Sequence, residues 1–260
     1  MSTKEIHENG TATLICPECS KEFIVKYELT GDSELDRTIR GFYDGCICQT
    51  CCDRRKELER AKQEAERKEK MMETLPARLE TSTIPANFML NQPIFRKPSV
   101  WVYNNRNESL LIGGYTGTGK TSSACFVAKR CMEVHGIRAK YYTRQKILAE
   151  YVRAKTHSKD GEGEDRFYRK LAGYDILIID EFVGKKGFDK LSPSAQELFF
   201  TLIDSVYSGE NQTKLWIMGN FYQGAISDLF DDPDPLKRRL EEKFKMAWFD
   251  KENIDENVTL

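Results

Sequence analysis

The stretch that decides the fold is Gly114-Tyr115-Thr116-Gly117-Thr118-Gly119-Lys120-Thr121. It matches the pattern G-x-x-x-x-G-K-[ST], follows the apolar run Ser109–Gly113 and opens a helix-like stretch. Glycines let backbone N–H groups turn toward phosphates, and the N-terminus of a helix adds positive potential. We therefore expect all eight residues to bind ATP, with Lys120 on the β- and γ-phosphates and Thr121 completing the coordination of Mg²⁺.

Two further apolar runs end in polar side chains. Four aliphatic residues, Ile176–Ile179, are followed by Asp180 and Glu181, and the run from Lys214 ends at Asn220. A buried strand that ends in acids delivers carboxylates to its carboxyl end, where Asp180 is expected to hold Mg²⁺ and Glu181 to activate the attacking water. Asn220 is predicted to hold that water, although an asparagine that only forms a turn is an alternative.

Apolar runs alternate with amphipathic segments from about residue 81 onward, which favours βαβ units and a parallel sheet. The fold class predicted is α/β, with a phosphate-binding-loop ATPase sheet and, because six of the eight cysteines lie before residue 53, a small N-terminal zinc-binding domain. The predicted strands are Leu110–Gly113, Ala139–Thr143, Asp175–Asp180, Lys214–Gly219 and Phe244–Phe249, and the predicted helices cover residues 120–135, 144–155, 193–208 and 235–242.

The composition divides the chain into three blocks: a zinc-binding domain (1–52), a charged helical linker (53–80) and an ATPase domain (81–260). Residues 53–73 contain neither Gly nor Pro and pair opposite charges four residues apart, as at Glu64 and Lys68. These features predict a solvated spacer helix. Pro76 and Pro85 are expected to mark the start of the third block.

The charges of the chain nearly cancel, with 40 basic and 41 acidic residues and a net charge of −1. This balance excludes a globally basic nucleic-acid-binding surface but not a local one. No run approaches the roughly 18 apolar residues of a membrane span, and the N-terminus does not resemble a signal peptide. We expect a soluble, cytoplasmic protein with no membrane partner.

Six of the eight cysteines lie before residue 53. Cys16-x2-Cys19 and Cys48-x2-Cys51 form two C-x-x-C pairs separated by 28 residues. Two such pairs can complete a tetrahedral shell of four thiolates around a structural Zn²⁺. Cys46 and Cys52 are alternatives to any one of these four ligands.

Residues 138–155 carry six basic side chains against Glu150 alone, a local balance of +5. If residues 144–155 are helical, Lys146 and Arg153 share a face opposite the apolar side chains, and that face can contact the phosphates of single-stranded DNA. A solvated basic helix explains the pattern equally well. The basic residues are Arg138, Lys140, Arg144, Lys146, Arg153 and Lys155, and Lys185 and Lys186 are a weaker second candidate.

The order of phosphate loop, Asp180-Glu181, Asn220 and a late arginine resembles that of AAA+ ATPases, and within them the DnaC/DnaI helicase loaders and the related IstB transposition helpers. Thr83–Phe88 is similar to the Ile-Pro-x-x-Phe segment that lies near the adenine in those proteins. Arg239 best matches their arginine finger, with Arg238 as the alternative. The resemblance covers residues 83–250, and the short stretch after Arg239 leads us to expect no C-terminal helical lid.

The resemblance implies an ATPase that is weak alone, because its finger arginine acts on the ATP of a neighbouring subunit. It also implies self-association through the ATPase domain, a zinc-binding domain that holds a replicative DNA helicase, and loading of that helicase onto single-stranded DNA. A transposition helper whose zinc domain contacts DNA or a transposase is one alternative. A non-hydrolysing adaptor, in which ATP only fixes the conformation, is another.

Overall fold

A computed structural model describes residues 5–7, 11–26, 48–157, 162–182, 191–209, 212–220, 230, 233–250 and 253–256 of the chain. The chain divides into two compact units, Met1–Lys70 and Met71–Leu260. The sequence-based domain boundaries, at residues 52 and 80, stay predictions. Cys46, Lys185 and Lys186 lie outside the described residues.

The first unit contains a three-stranded antiparallel sheet in the order β1 (Glu5–His7), β2 (Thr11–Ile15) and β3 (Glu22–Lys26). The turn between β2 and β3 carries Cys16 and Cys19. Helix α1 (Gln49–Ser82) then begins beside Cys48 and includes Cys51 in its first turn. The two cysteine pairs therefore lie on a hairpin turn and at the start of a helix.

Helix α1 is exposed from residue 53 to residue 70, and Glu64 and Lys68 form an ion pair of 2.8 Å on its surface. The prediction of a solvated helix is thus confirmed. Pro76 does not end this helix, since α1 continues through it to Ser82. Leu75 and Leu79 pack against the core of the second unit, and this burial offsets the roughly 3 kcal/mol that a proline costs inside a helix.

The second unit is built on a six-stranded sheet in the order β5-β6-β7-β4-β8-β9. All neighbouring strands are parallel except β8 and β9. The strands are β4 (Ser109–Gly114), β5 (Ala139–Thr143), β6 (Ile176–Asp180), β7 (Lys214–Met218), β8 (Phe244–Asp250) and β9 (Asn253–Asp255). The predicted α/β fold with a parallel sheet is confirmed.

Helices cover both faces of this sheet. After a 3-10 turn (Ala86–Phe88), the helices are α2 (Arg96–Asn104), α3 (Lys120–His135), α4 (Arg144–His157), α5 (Glu162–Ala172), α6 (Pro193–Ser208) and α7 (Pro233–Lys243). The C-terminal part of α1, α2 and α3 pack on one face, and α4 to α7 pack on the other. Alternate strand residues divide between these two cores: Ile178 faces the first and Ile179 the second.

The predicted strands and the four predicted helices are present, whereas α2, α5 and β9 were not foreseen. Because the parallel strands share one direction, Gly114, Thr143, Asp180 and Met218 end at the same edge of the sheet. Ligands of open α/β sheets bind at this carboxyl edge. Among the described residues, every helix is too short or too polar to cross a membrane.

Candidate functional site

The phosphate-binding loop connects β4 to α3 at the carboxyl edge of the sheet. Gly114 has φ +143°, and a Cβ atom there would lie 2.3 Å from the carbonyl oxygen of Phe249 in β8. Gly119 has φ +90°, and a Cβ atom there would lie 2.4 Å from Cγ of Phe95. The loop therefore takes its shape from glycines that are required both by their backbone angles and by the close approach of neighbouring residues.

Lys120 is the first residue of α3, and it is only 7% exposed. Its Nζ atom donates hydrogen bonds to the carbonyl oxygens of Gly114 (2.8 Å) and Tyr115 (2.7 Å) and to Oδ1 of Asn220 (3.1 Å). All three partners are neutral oxygens, so the positive charge is available to an anionic ligand in the loop. Burial lowers the pKa of Lys120 to about 8, while the charge of Asp180 opposes this shift.

Thr121 and Asp180 meet although they lie on α3 and β6. The Thr121 hydroxyl donates to Oδ2 of Asp180 over 2.8 Å, and Asp180 is only 6% exposed. A hydroxyl and a carboxylate are the hard oxygen ligands that Mg²⁺ prefers. The two residues thus fit the predicted magnesium site, at the end of the strand and beside the helix N-terminus that would face the phosphates.

The structure brings the other two predicted residues of this edge to the same place. Asn220 bridges the loop: its Oδ1 accepts from Lys120 and its Nδ2 donates to Oγ1 of Thr116 over 3.3 Å. Glu181 directs its exposed side chain away from the core and has the left-handed φ of +54°, while its N–H donates to Oδ1 of Asp180 (2.8 Å). Such a conformation costs about 1–3 kcal/mol and is frequent at functional sites.

Tyr141 in β5 also belongs to the site, although the sequence motifs do not include it. Its hydroxyl donates to Oδ2 of Asp180 over 3.0 Å, and the side chain is buried. Burial, together with the charge of Asp180, raises the pKa of Tyr141. A tyrosine in a buried strand needs a partner for its hydroxyl, and this was the signal available in the sequence.

The four predicted zinc ligands also come together in the first unit. The Sγ atoms of Cys16, Cys19, Cys48 and Cys51 all lie within 4.8 Å of one another, and those of Cys19 and Cys48 are 3.5 Å apart. A tetrahedral shell with Zn–S bonds of about 2.3 Å needs sulfurs about 3.8 Å apart. These four residues therefore fit Zn²⁺, and Cys52 is not among them.

The surroundings of the cysteine cluster shift the pKa values of two of its thiols in opposite directions. Burial opposes the ionisation of Cys16, but the backbone N–H groups of Cys48, Glu18 and Cys19 lower its pKa to about 6. Burial and the neighbouring thiols raise the pKa of Cys51. A divalent cation favours the ionised form of all its thiol ligands, which would offset this difference.

Arg239 lies on α7 and is held within its own chain. Its Nε atom is 2.7 Å from Oδ1 of Asp204, and its guanidinium carbon lies 4.6 Å from the ring centroid of Phe200. Arg238 is more exposed, and its Nε atom lies 3.9 Å from Oε1 of Glu242. The finger role of Arg239, with Arg238 as the alternative, concerns a neighbouring subunit and stays a prediction.

Several basic side chains of residues 138–155 are engaged in contacts within the chain, so the stretch offers DNA less charge than its balance of +5 indicates. Lys140 donates to the carbonyl of Thr81, Arg144 donates to the carbonyl of Phe182, and Lys155 pairs with Glu197. Lys146 and Arg153 lie on the exposed face of α4, as predicted, while Ile147 and Tyr151 are buried. Val152, one of the apolar side chains expected opposite Lys146 and Arg153, is 38% exposed.

We predict that the purified protein holds about one zinc ion and that Cys16→Ser abolishes metal binding, because three thiolates cannot close the shell. Cys52→Ser is the matched control, and it should retain the metal. Elemental analysis by mass spectrometry measures both. Loss of zinc in Cys52→Ser to the same extent as in Cys16→Ser would contradict the ligand set.

We also predict that nucleotide affinity falls about tenfold between pH 7 and pH 9. The folded-state pKa of Lys120 is about 8, so the free protein loses this charge above pH 8 and must take up a proton when phosphates bind. Titration with a fluorescent ATP analogue measures the dissociation constant. Lys120→Arg, which stays charged, should lose much less affinity over this range. An equal loss in both proteins would contradict the assignment.

The chain is similar to several known proteins and matches one family model. A search of curated proteins found no match. Similar solved structures include the DnaC helicase loader (17% identity, 58% of this chain and 86% of that chain covered, TM-score 0.46) and DnaI (11%, 66% and 93%, TM-score 0.47). AMPPCP-bound DnaA from Aquifex aeolicus is also similar, with 18% identity, a TM-score of 0.44, and 59% of this chain and 46% of that chain covered. This chain thus spans about half the length of that DnaA.

The family model of the IstB-like ATP binding protein matches residues 55–234, more than half of the chain. The chain therefore belongs to the family of IstB-like ATP binding proteins.

Proposed function

We propose that this protein hydrolyses ATP in order to load a replicative DNA helicase onto single-stranded DNA. The observation that carries the ATPase part is the meeting of Thr121 and Asp180 at 2.8 Å beside the buried Lys120. One edge of the sheet carries the phosphate loop, the carboxylate of Asp180 and the polar side chain of Asn220, which follows β7. This arrangement suits phosphoryl transfer to water, which depends on positioning and on charge stabilisation.

Each residue has a defined task in this proposal. Lys120 and the N–H groups of residues 114–121 hold the phosphates, and Thr121 and Asp180 hold Mg²⁺, which neutralises charge on the phosphate oxygens. Glu181 accepts a proton from the attacking water, and Asn220 orients that water. Arg239, or Arg238, approaches the ATP of a neighbouring subunit, so hydrolysis by the isolated chain is slow.

Helicase loading is supported by the resemblance of the motif order to that of the DnaC/DnaI helicase loaders and by the organisation of the chain. The cysteine cluster that fits a structural Zn²⁺ belongs to the first unit, and the residues of the nucleotide site belong to the second. The charged helix α1 continues from the first unit into the second. We propose that the zinc module holds the helicase and that Lys146 and Arg153 contact the phosphates of single-stranded DNA.

A transposition helper is the second candidate, and the family match to IstB-like proteins favours it. In that function the zinc module contacts DNA or a transposase instead of a helicase. The nucleotide site serves both functions equally, so only the bound partner separates them. A non-hydrolysing adaptor differs from both because its activity does not need Glu181.

We predict that Glu181→Gln lowers DNA-stimulated ATP hydrolysis by at least about 100-fold, because the water loses its general base. The dissociation constant for ATP should stay within about twofold. The exposed Glu256, just after β9, provides the matched control, and Glu256→Gln should hydrolyse ATP at the normal rate. Release of inorganic phosphate measures hydrolysis.

The same variants test the biological step. Wild-type protein should retain a replicative helicase in a pull-down and promote its assembly on single-stranded DNA, whereas Glu181→Gln should bind the helicase but stall after ATP binding. Capture of a transposase instead of a helicase would favour the transposition helper. Full loading by Glu181→Gln would show that ATP acts only as a conformational switch.

A further inference from the structure

The carboxylate of Asp180 is held from three directions. Thr121 donates to Oδ2 from α3, Tyr141 donates to the same oxygen from β5, and the N–H of Glu181 donates to Oδ1. With Mg²⁺ in the site, the Thr121 oxygen would ligate the ion through a lone pair, while its proton would remain directed at Asp180. Tyr141, in contrast, lies outside the predicted ligand set and contacts the site as a hydrogen-bond donor to the carboxylate.

Tyr141 is positioned for this task by the register of the sheet. It pairs with Ile178 in the parallel ladder between β5 and β6, so its ring lies on the same face of the sheet as Ile178 and Asp180. The adjacent Tyr142 belongs to the opposite core, where its hydroxyl donates to Glu150 over 3.0 Å. Two neighbouring tyrosines thus each donate to a carboxylate, but only one of these carboxylates lies in the ATP site.

The backbone of Tyr141 is in turn attached to the end of helix α1. The Thr83 hydroxyl lies within hydrogen-bond distance of the carbonyl oxygen of Tyr141, and Thr83 has the left-handed φ of +57°. The preceding residue, Lys140, is buried and donates from Nζ to the carbonyl of Thr81 over 2.8 Å. Thr81 and Thr83, at the C-terminal end of α1, therefore form hydrogen bonds with two consecutive residues of β5.

We infer that Tyr141 is a positioning residue for the magnesium site and that Thr83 links it to the end of α1. A hydrogen bond that orients a metal-binding carboxylate strengthens metal binding, and its loss typically weakens that binding about tenfold or more. A shift of the α1 end relative to β5 changes the position of Tyr141, and through its hydroxyl the position of Asp180. This inference rests on the proposed binding of ATP with Mg²⁺.

The test compares Tyr141→Phe with Tyr142→Phe in the full-length protein. For each, the dissociation constant of a fluorescent ATP analogue is measured with excess Mg²⁺ and with a chelator. The ratio of the two constants gives the gain in affinity that Mg²⁺ brings. Both variants lose one buried hydroxyl and keep the ring, so a general loss of stability affects them alike, and thermal unfolding monitors it.

Tyr141→Phe should lower the magnesium gain about tenfold and leave binding in the chelator unchanged within about twofold. Tyr142→Phe should keep the wild-type gain. Equal gains in Tyr141→Phe and wild type, or an equal decrease in both variants, would overturn the positioning role. A wild-type protein that binds the analogue without any magnesium gain would instead refute the proposed magnesium site itself.

A second pair of variants tests the link to α1 and does not require Tyr141 to be changed. Thr83→Ala removes the hydroxyl, and Thr83→Ser retains it. The alanine variant should lower the magnesium gain about threefold, and the serine variant should restore it. Thr83→Ala combined with Tyr141→Phe should behave like Tyr141→Phe alone, since both act through one hydroxyl. Independent, multiplying effects would overturn the link.

Discussion

The rest of the site depends on the hydrogen bond between the Thr121 hydroxyl and the Asp180 carboxylate. It joins the first turn of the helix after the phosphate loop to the end of β6, a strand that does not pair with β4. Because β7 lies between these two strands, the contact forms only if all three are parallel and in the observed register. The strand order therefore brings the loop, the carboxylate and Asn220 to one edge of the sheet.

A buried carboxylate is stable only when hydrogen bonds replace its hydration. Asp180 meets this requirement through donors from α3, β5 and the next residue of the chain. The loop meets a similar requirement for Lys120, whose charge is surrounded by carbonyl and amide oxygens. Two opposite charges are therefore held close to each other without a direct ion pair between them, an arrangement that suits a site built to receive a metal ion and phosphates together.

Much of this arrangement could be predicted from the sequence, because its signals are local. The glycine pattern, the aliphatic run before Asp180 and the two cysteine pairs each depend on short spacing. The features that were missed depend on tertiary contacts. Pro76 is tolerated because the partly buried Leu75 and Leu79 pack against the core. Tyr141 reaches Asp180 only through the register of β5 with β6, and Lys140 is drawn from the basic surface by its hydrogen bond to Thr81. Local propensity contains none of these pairings.

The most direct test of the central claim is pulsed electron paramagnetic resonance with Mn²⁺ in place of Mg²⁺, in the presence of a non-hydrolysable ATP analogue. If Thr121 and Asp180 hold the ion against the phosphates, bound Mn²⁺ will show hyperfine coupling to phosphorus, and Asp180→Asn will strongly weaken binding of the ion to the protein. Protein-bound Mn²⁺ without phosphorus coupling, or with unchanged affinity in Asp180→Asn, would contradict the account.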